Sequence, residues 1–376
     1  MSQAKPVSRV RFPWSTWFDA MAQRWRALSK PMRLLAYAAM FVLAIMLPNI
    51  PGLAAIMAPG SSWQRILFFP ISMYILLALG HNVVVGYTGL LDLGFVAFFA
   101  IGAYTMGILG VYYGWGFWGA LPVGIALAML SGLLLGSPTL RLRGDYLAIV
   151  TLGFGEMIRQ TANNLNYLGG PRGITSIPRP PAVGNLSFLQ FGVLDSRPYY
   201  YLMVVIITIV IVIMFRLEKS RVGRSWAAIR EDEDAAQLMG VPTLKFKLWA
   251  FTVGAAVGGA GGVIFASAST SIQPTDFPFI LSATILAAVV LGGAGNIPGV
   301  MLGAFLVAWL PEVSRSFSQY RVLVFGAVLV TLMIFRPQGI WPSRVREAEL
   351  LEGEGGIDRL GGEVGAVQGE PGAMDS

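Results

Sequence analysis

Long runs without charge constrain this chain more than any other feature. Residues 34–58, 66–91, 93–140, 198–215, 248–275, 277–311 and 322–335 contain no Asp, Glu, Lys or Arg. About 20 residues of helix cross a hydrocarbon core. Backbone polar groups in lipid are satisfied only in helices or closed barrels, and uninterrupted runs of this length are helices. The run 93–140 has room for two, with a turn at Gly114-Trp115-Gly116. The run 277–311 holds two shorter ones, broken at Gly292-Gly293-Ala294-Gly295-Asn296. Residues 145–162 form a less apolar helix carrying Glu156 and Arg159. The fold class read from this is all-α, a polytopic transmembrane bundle of about ten helices.

Lysine and arginine set the orientation, because cytoplasmic loops carry the excess of both. If the N-terminus is cytoplasmic and each crossing alternates, 20 of the 27 basic residues fall on the inner side and six on the other. The inner set lies in residues 1–33, in Arg141 and Arg143, in the loop 216–247 and from Arg336 onward. The outer set is Arg65, Arg172, Arg179, Arg197, Arg315 and Arg321. Both termini are therefore read as cytoplasmic, with 163–197 the main extracytoplasmic loop. The Gly-rich breaks at 86–92 and 292–296 carry little charge, and each fits either a full turn or a re-entrant segment.

Composition then removes whole classes of function. Apolar residues are 55% and charged residues 12% of the 376, against about 25% charged in a soluble domain. Mean hydropathy is +0.65. No soluble enzyme or disordered chain has this profile. With no cysteine and one histidine, thiol catalysis, disulfides and His/Cys metal clusters are excluded, and no cofactor is expected. The net charge of +7 points to anionic lipid rather than nucleic acid. The sequence G-x-x-x-x-G-K-[ST] is absent, so the chain does not bind ATP by that route. No Asp/Glu/His series crosses the membrane and no arginine series recurs, which argues against a proton pump and a voltage sensor.

The ends read differently from the body. Residues 1–33 form a basic cytoplasmic segment without a secretory leader. Trp14, Trp17, Phe18, Met21, Trp25 and Leu28 share one face at helical spacing, as in a helix lying on the inner membrane surface. Residues 34–342 are the membrane-spanning body. Residues 343–376, Gly-rich and acidic, are expected to be disordered.

Within the body, polar positions are few. Asp92 precedes a long helix and suits a cap, while substrate contact is the alternative. Glu156 and Arg159 sit three apart and suit an ion pair. His81, among apolar neighbours, reads as a packed side chain. Glycine makes up 45 residues, and it recurs every fourth position at Gly254, Gly258 and Gly262, and again at Gly295, Gly299 and Gly303. Such stripes let helix backbones approach closely. Gly86, Gly89, Asp92, Gly292 and Gly295 are the candidate pathway or helix-break positions.

The loop 216–247 is the largest charged segment. Residues 225–239 have helix-forming composition, with Trp226, Ala227, Ile229, Ala236 and Met239 offering an apolar side. Arg230 precedes Glu231-Asp232-Glu233-Asp234-Ala235-Ala236, and Gly240 with Pro242 ends the helix. A short charged helix between two membrane helices is a handle for a cytoplasmic partner; a solvated loop helix is the plainer reading.

The segment Glu-Asp-Glu-Asp-Ala-Ala-x3-Gly resembles the coupling-loop motif of bacterial ABC importer permeases. The whole chain resembles the LivM-type permeases of branched-chain amino acid importers. Further matching stretches are Gly86-Tyr-Thr-Gly89-Leu-Leu-Asp92-Leu-Gly94 through Tyr104; Arg143-Gly-Asp145 through Gly153-Phe-Gly155-Glu156; Gly169-Gly-Pro171-Arg-Gly173 through Pro180; Gly292-Gly-Ala-Gly295-Asn with Gly299; and Arg336-Pro-Gln-Gly339. They span residues 66–342 in order. Arg172 departs from the pattern, where Asn is frequent, and the four-acid run is heavier than usual. The resemblance implies an inner-membrane permease subunit for branched-chain or related apolar amino acids. It also implies its partners: a homologous LivH-like permease, two cytoplasmic ABC ATPase subunits and an extracytoplasmic substrate-binding protein. Arg230, Glu231, Asp232, Ala235, Ala236 and Gly240 would form the ATPase-coupling loop. A urea or short-amide ABC permease is the close alternative, and an ion-coupled secondary transporter the more distant one.

The orientation is directly testable, since the chain has no native cysteine. An Ala235→Cys variant is expected to react with a membrane-impermeant maleimide only in inverted or permeabilised membranes. Labelling of intact cells would invert the map.

Overall fold

The computed structural model describes residues 41–50, 62–140, 144–181, 191–192, 195–313, 326 and 339–341. The expected surface helix at 14–28, the acidic tail and, Gly326 apart, the run 322–335 lie outside those residues. The chain divides into two compact units, Met1–Pro51 and Gly52–Ser376. In the first, residues 41–46 are helical and Leu47–Asn49 make a 3-10 turn with Pro48 at its start.

The described residues of the second unit are almost all helical. Its main helices are α1 (Trp63–Tyr87), α2 (Val96–Tyr112), α3 (Phe117–Thr139), α4 (Asp145–Asn164) and α5 (Arg197–Glu218). Two short helices follow, α6 (Arg221–Glu231) and α7 (Glu233–Leu238), then α8 (Thr243–Ser269), α9 (Phe279–Gly292) and α10 (Ile297–Val313). The strands β1 (Ile174–Thr175) and β2 (Ser271–Ile272) pair antiparallel, Ile174 opposite Ile272.

Five stretches among the described residues are long and apolar enough to cross a membrane: α1, α3, α5, α8 and Pro274–Gly292. α2 and α10 are apolar but shorter. Their outward faces fit lipid, with Leu130 and Leu134 of α3 and Ile209 and Val212 of α5 all exposed. Bare apolar surface of this extent does not occur on a soluble monomer. The chain is a multi-pass, all-α membrane protein.

α1 and α8 form the centre. In the most apolar 18-residue stretch of each, 72% of residues are buried, against 33% in α3 and α5. Glycine makes this possible. A Cβ on Gly262 would overlap the backbone of Phe99 in α2, and one on Gly102 would overlap that of Gly259. The two backbones touch, which converts the stripe at Gly254, Gly258 and Gly262 into dispersion contacts, the main attraction left between helices in lipid. The second stripe works likewise, since Gly299 and Gly303 press on Gly292 and Ala288 of α9.

Breaks occur where local chemistry permits them. α1 has two π-helical stretches, Leu67–Ser72 and Val83–Tyr87. In the first, Phe69 is extended (φ −135°, ψ 121°), as a residue before proline prefers. α2 and α3 are separated around Gly114 (φ 67°), and α9 and α10 by Gly293 and Gly295 (φ 109° and 89°). After that break, Ile340 N–H donates to Leu291 O at 2.8 Å and Trp341 N–H to Gly292 O at 3.1 Å. His81 is fully buried, edge-on to Phe95 at 4.8 Å between ring centres.

The packing predicts a clear contrast. Gly262→Ala should lower the unfolding midpoint in detergent by an amount equivalent to about 1–3 kcal/mol, the usual cost of overpacking. Gly119→Ala, which meets only the Trp115 ring at 3.5 Å, should leave it unchanged or raise it. Equal midpoints for the two variants would contradict the contact between α2 and α8.

Candidate functional site

The loop between α5 and α8 is two helices, not the single one expected over 225–239. The cause is Asp232. Its backbone is extended (φ −154°, ψ 113°), and its Oδ1 accepts from Asp234 N at 2.9 Å and Ala235 N at 3.0 Å. That is an N-cap, and losing one costs about 0.5–2 kcal/mol. Ser220 caps α6 in the same way, accepting from Val222 N at 3.1 Å and Gly223 N at 3.3 Å. α7 ends where Gly240 takes the left-handed conformation at φ 83°, free of Cβ strain.

The inner side of α6 is fixed to the bundle. Trp226 is buried, stacks on Tyr87 (6.0 Å, 8° between planes) and donates Nε1–H to Phe246 O at 2.8 Å. Ile229 and Ala236 are buried too. Met239, read as part of that apolar side, is instead 83% exposed, beside Leu238 at 88%. The split at Asp232 turns α7, and its tip faces outward. Glu231 and Asp232 are exposed, as is Ala235.

The remaining contacts tie this loop to both helix breaks. Arg230 donates from Nη1 to the Gly86 carbonyl in the second π stretch of α1. Its Cγ lies 3.1 Å from where a Cβ on Gly89 would stand, and Gly89 is left-handed at φ 71°. Gly86 in turn abuts Gly295: a Cβ on Gly86 would overlap Asn82 Oδ1, which accepts from Gly295 N at 2.8 Å. Gly86, Gly89, Gly295 and Arg230 therefore form one cluster, with Gly292 at the end of α9 close by through Gly299. Lys247 of α8, 1% exposed, pairs with Glu233. Arg230, Glu233 and Lys247 line a cleft of about 210 Å³ with Gly89, Gly144 and Ile229.

Asp92, three residues after Gly89, makes contacts of its own. It is buried and accepts at Oδ1 from Gly94 N at 2.8 Å, while Leu93 N–H donates to Thr151 Oγ1 of α4 at 3.0 Å. Sequence reasoning did not single out Asn82 or Lys247. Asn82 did leave a sign, an amide one turn before Gly86 within an uncharged run. Lys247 counted only as one more inner-side charge.

A family model described as the permease component of the branched-chain amino acid transport system matches residues 66–335. The chain belongs to that permease family. The high-affinity branched-chain amino acid transport system permease protein LivM of Escherichia coli K12 is 42% identical over 75% of this chain and 70% of its own length. The probable LivM of Methanocaldococcus jannaschii is 25% identical, covering 72% and 91%. LivH of E. coli K12 is 24% identical over the same shares. The resemblance to LivM-type permeases therefore holds, and this permease family is one of transport components, not enzymes. No solved structure matches.

Trp226 anchors the loop, so Trp226→Ala should free it. Removing a buried tryptophan costs about 3–5 kcal/mol. In membrane preparations, trypsin should cut at Arg221, Arg224 or Arg230 several-fold faster in this variant. Unchanged cleavage would mean the loop is held by other contacts.

Proposed function

We propose that this chain is the membrane-spanning permease subunit of an ATP-driven importer for branched-chain or related apolar amino acids, in a bacterial inner membrane. The reading has about ten crossings with both termini inside, as the basic residues favour. Its partners are a homologous LivH-like permease, two ABC ATPases on the cytoplasmic face and an extracytoplasmic substrate-binding protein. The 42% identity to a LivM permease supports this substrate class over urea or amides, and the permease-component family over an ion-coupled carrier.

The observation that carries the mechanism is the hydrogen bond from Arg230 to the Gly86 carbonyl, with Asn82 joining that segment to Gly295. A push on α6 and α7 is delivered to two helix breaks at once. The exposed Leu238 and Met239, beside Glu231 and Asp234, supply an apolar tip with acidic flanks for an ATPase groove. ATP binding closes the ATPase pair, the loop moves with it, and the bundle exchanges its inward opening for an outward one. Hydrolysis resets it. Each nucleotide state need only bind one bundle conformation better than the other. A zwitterion with an apolar side chain needs few polar groups along its way, in keeping with a nearly uncharged body.

Coupling provides the test. In proteoliposomes holding the complete transporter, Arg230→Ala, the Glu231→Ala/Asp232→Ala pair and Gly240→Leu should each leave ATP hydrolysis within about threefold. Leucine uptake should fall tenfold or more. Uptake and hydrolysis falling in parallel would place these residues outside the coupling path.

A further inference from the structure

α4 is anomalous for a spanning helix. At 20 residues and ~1.5 Å per residue it is about 30 Å long, a full membrane thickness. Yet it is not apolar enough to rank with the other five. Part of the reason is an ion pair in its outer half. Glu156 Oε2 accepts from Arg159 Nε at 2.9 Å and Nη2 at 2.8 Å. Ionisable groups at such depth are costly and are kept for a use.

The pair is not sealed into the bundle. The Arg159 and Glu156 side chains are 28% and 36% exposed. Because both guanidinium bonds end on Oε2, Glu156 Oε1 and Arg159 Nη1 have no protein partner among the described residues. One turn before, Gly153 is exposed, with no atom within 4 Å of where its Cβ would stand. Gln160 is exposed one turn beyond Glu156. Ile149 and Met157, 65% and 62% exposed, flank this polar strip. On the other side, Glu156 borders a narrow crease walled by Leu93, Phe277 and Phe279.

We propose that Glu156 and Arg159 are the recognition point for the zwitterionic head of the transported amino acid. The open Oε1 takes the α-ammonium group and the open Nη1 takes the α-carboxylate, while the missing side chain of Gly153, one turn before Glu156, leaves the approach to the pair clear. The apolar side chain of the substrate then lies on Ile149 and Met157. This deepens the proposed function and rests on it. An uncharged solute such as urea has no use for such a pair, whereas a zwitterion matches both of its signs.

The test uses the complete transporter in proteoliposomes, with labelled leucine and ATP hydrolysis measured together. Should the unmodified complex carry no leucine, the proposed function fails and this site fails with it. Given transport, Glu156→Gln and Arg159→Gln should each lower uptake tenfold or more. Binding-protein-stimulated hydrolysis should stay within about twofold, showing an assembled complex. The reversed pair, Glu156→Arg/Arg159→Glu, keeps the three-residue spacing and the salt bridge but exchanges the two recognition charges; it should not restore uptake. Restored uptake, or normal uptake by both single variants, would make the pair a helix staple and overturn the proposal. If the single variants fail to assemble, Arg159→Lys retains a cation without the fork. Leucine binding to the purified complex, measured at equilibrium without the binding protein, should weaken at least fivefold; unchanged binding would overturn the proposal.

Discussion

A helix that stops inside an apolar body leaves carbonyls without intrahelical partners, and each must find a donor. At the end of α1 that need is met partly from outside the helix. Val84 is served locally, by the Thr88 hydroxyl at 2.6 Å and Leu90 N–H at 3.3 Å. Gly86 instead offers its carbonyl to Arg230, whose own helix lies in the loop between α5 and α8. That bond ties the position of the loop to the geometry of the break. The stacking of Trp226 on Tyr87, the residue after Gly86, holds the same two elements in register through a second kind of contact.

Such a linkage transmits movement only if the surrounding frame is stiff. The glycine contacts supply the stiffness. Where Gly262 meets Phe99 and Gly102 meets Gly259, backbone lies on backbone with no side chain between to yield. Interfaces of this kind slide or separate as units rather than deform. The breaks, by contrast, are held by separate hydrogen bonds, among them Gly295 N–H to Asn82 Oδ1, Arg230 Nη1 to the Gly86 carbonyl and Trp341 N–H to Gly292 O. In the proposed cycle a displacement applied at α6 would be taken up at the breaks rather than in the packed centre.

Much of this was legible in the sequence, for identifiable reasons. Hydrocarbon admits no alternative to apolar helix, so the runs at 66–91, 198–215 and 248–275 translated directly into α1, α5 and α8. Gly114 and the cluster at 292–296 announced their turns, because left-handed backbone needs glycine. The loop was harder. Asp232 lies within an acidic run that reads equally well as helix interior or as cap, and the decision turned on whether its side chain reaches the following N–H groups. The outward turn of Met239 follows from that one choice, so it was equally hidden. Lys247 and Asn82 show the other limit. Each finds its partner on another element, Glu233 in α7 and Gly295 between α9 and α10, and helical spacing carries no record of such pairs.

α4, the weakest membrane segment in the sequence, packs on the turn that follows α1. Thr151 Oγ1 accepts the Leu93 amide, next to Asp92, and a Cβ on Gly155 would stand 3.5 Å from Gly94 Cα. Glu156 is the next residue along. A continuous set of contacts therefore runs from Arg230 to Gly86 and Gly89, through the short turn to Asp92 and Leu93, and onto the helix bearing the open ion pair. Contiguity alone does not establish coupling; what counts is an element with two arrangements that both ends bias. The turn between Gly89 and Gly94 has the properties such an element needs: one end gripped by the loop, the other by α4, and left-handed glycine at Gly89 to absorb a change of path. A substrate held at Glu156 and an ATPase pulling on α6 would then act on the same few residues, and any coupling between their binding free energies would be reciprocal.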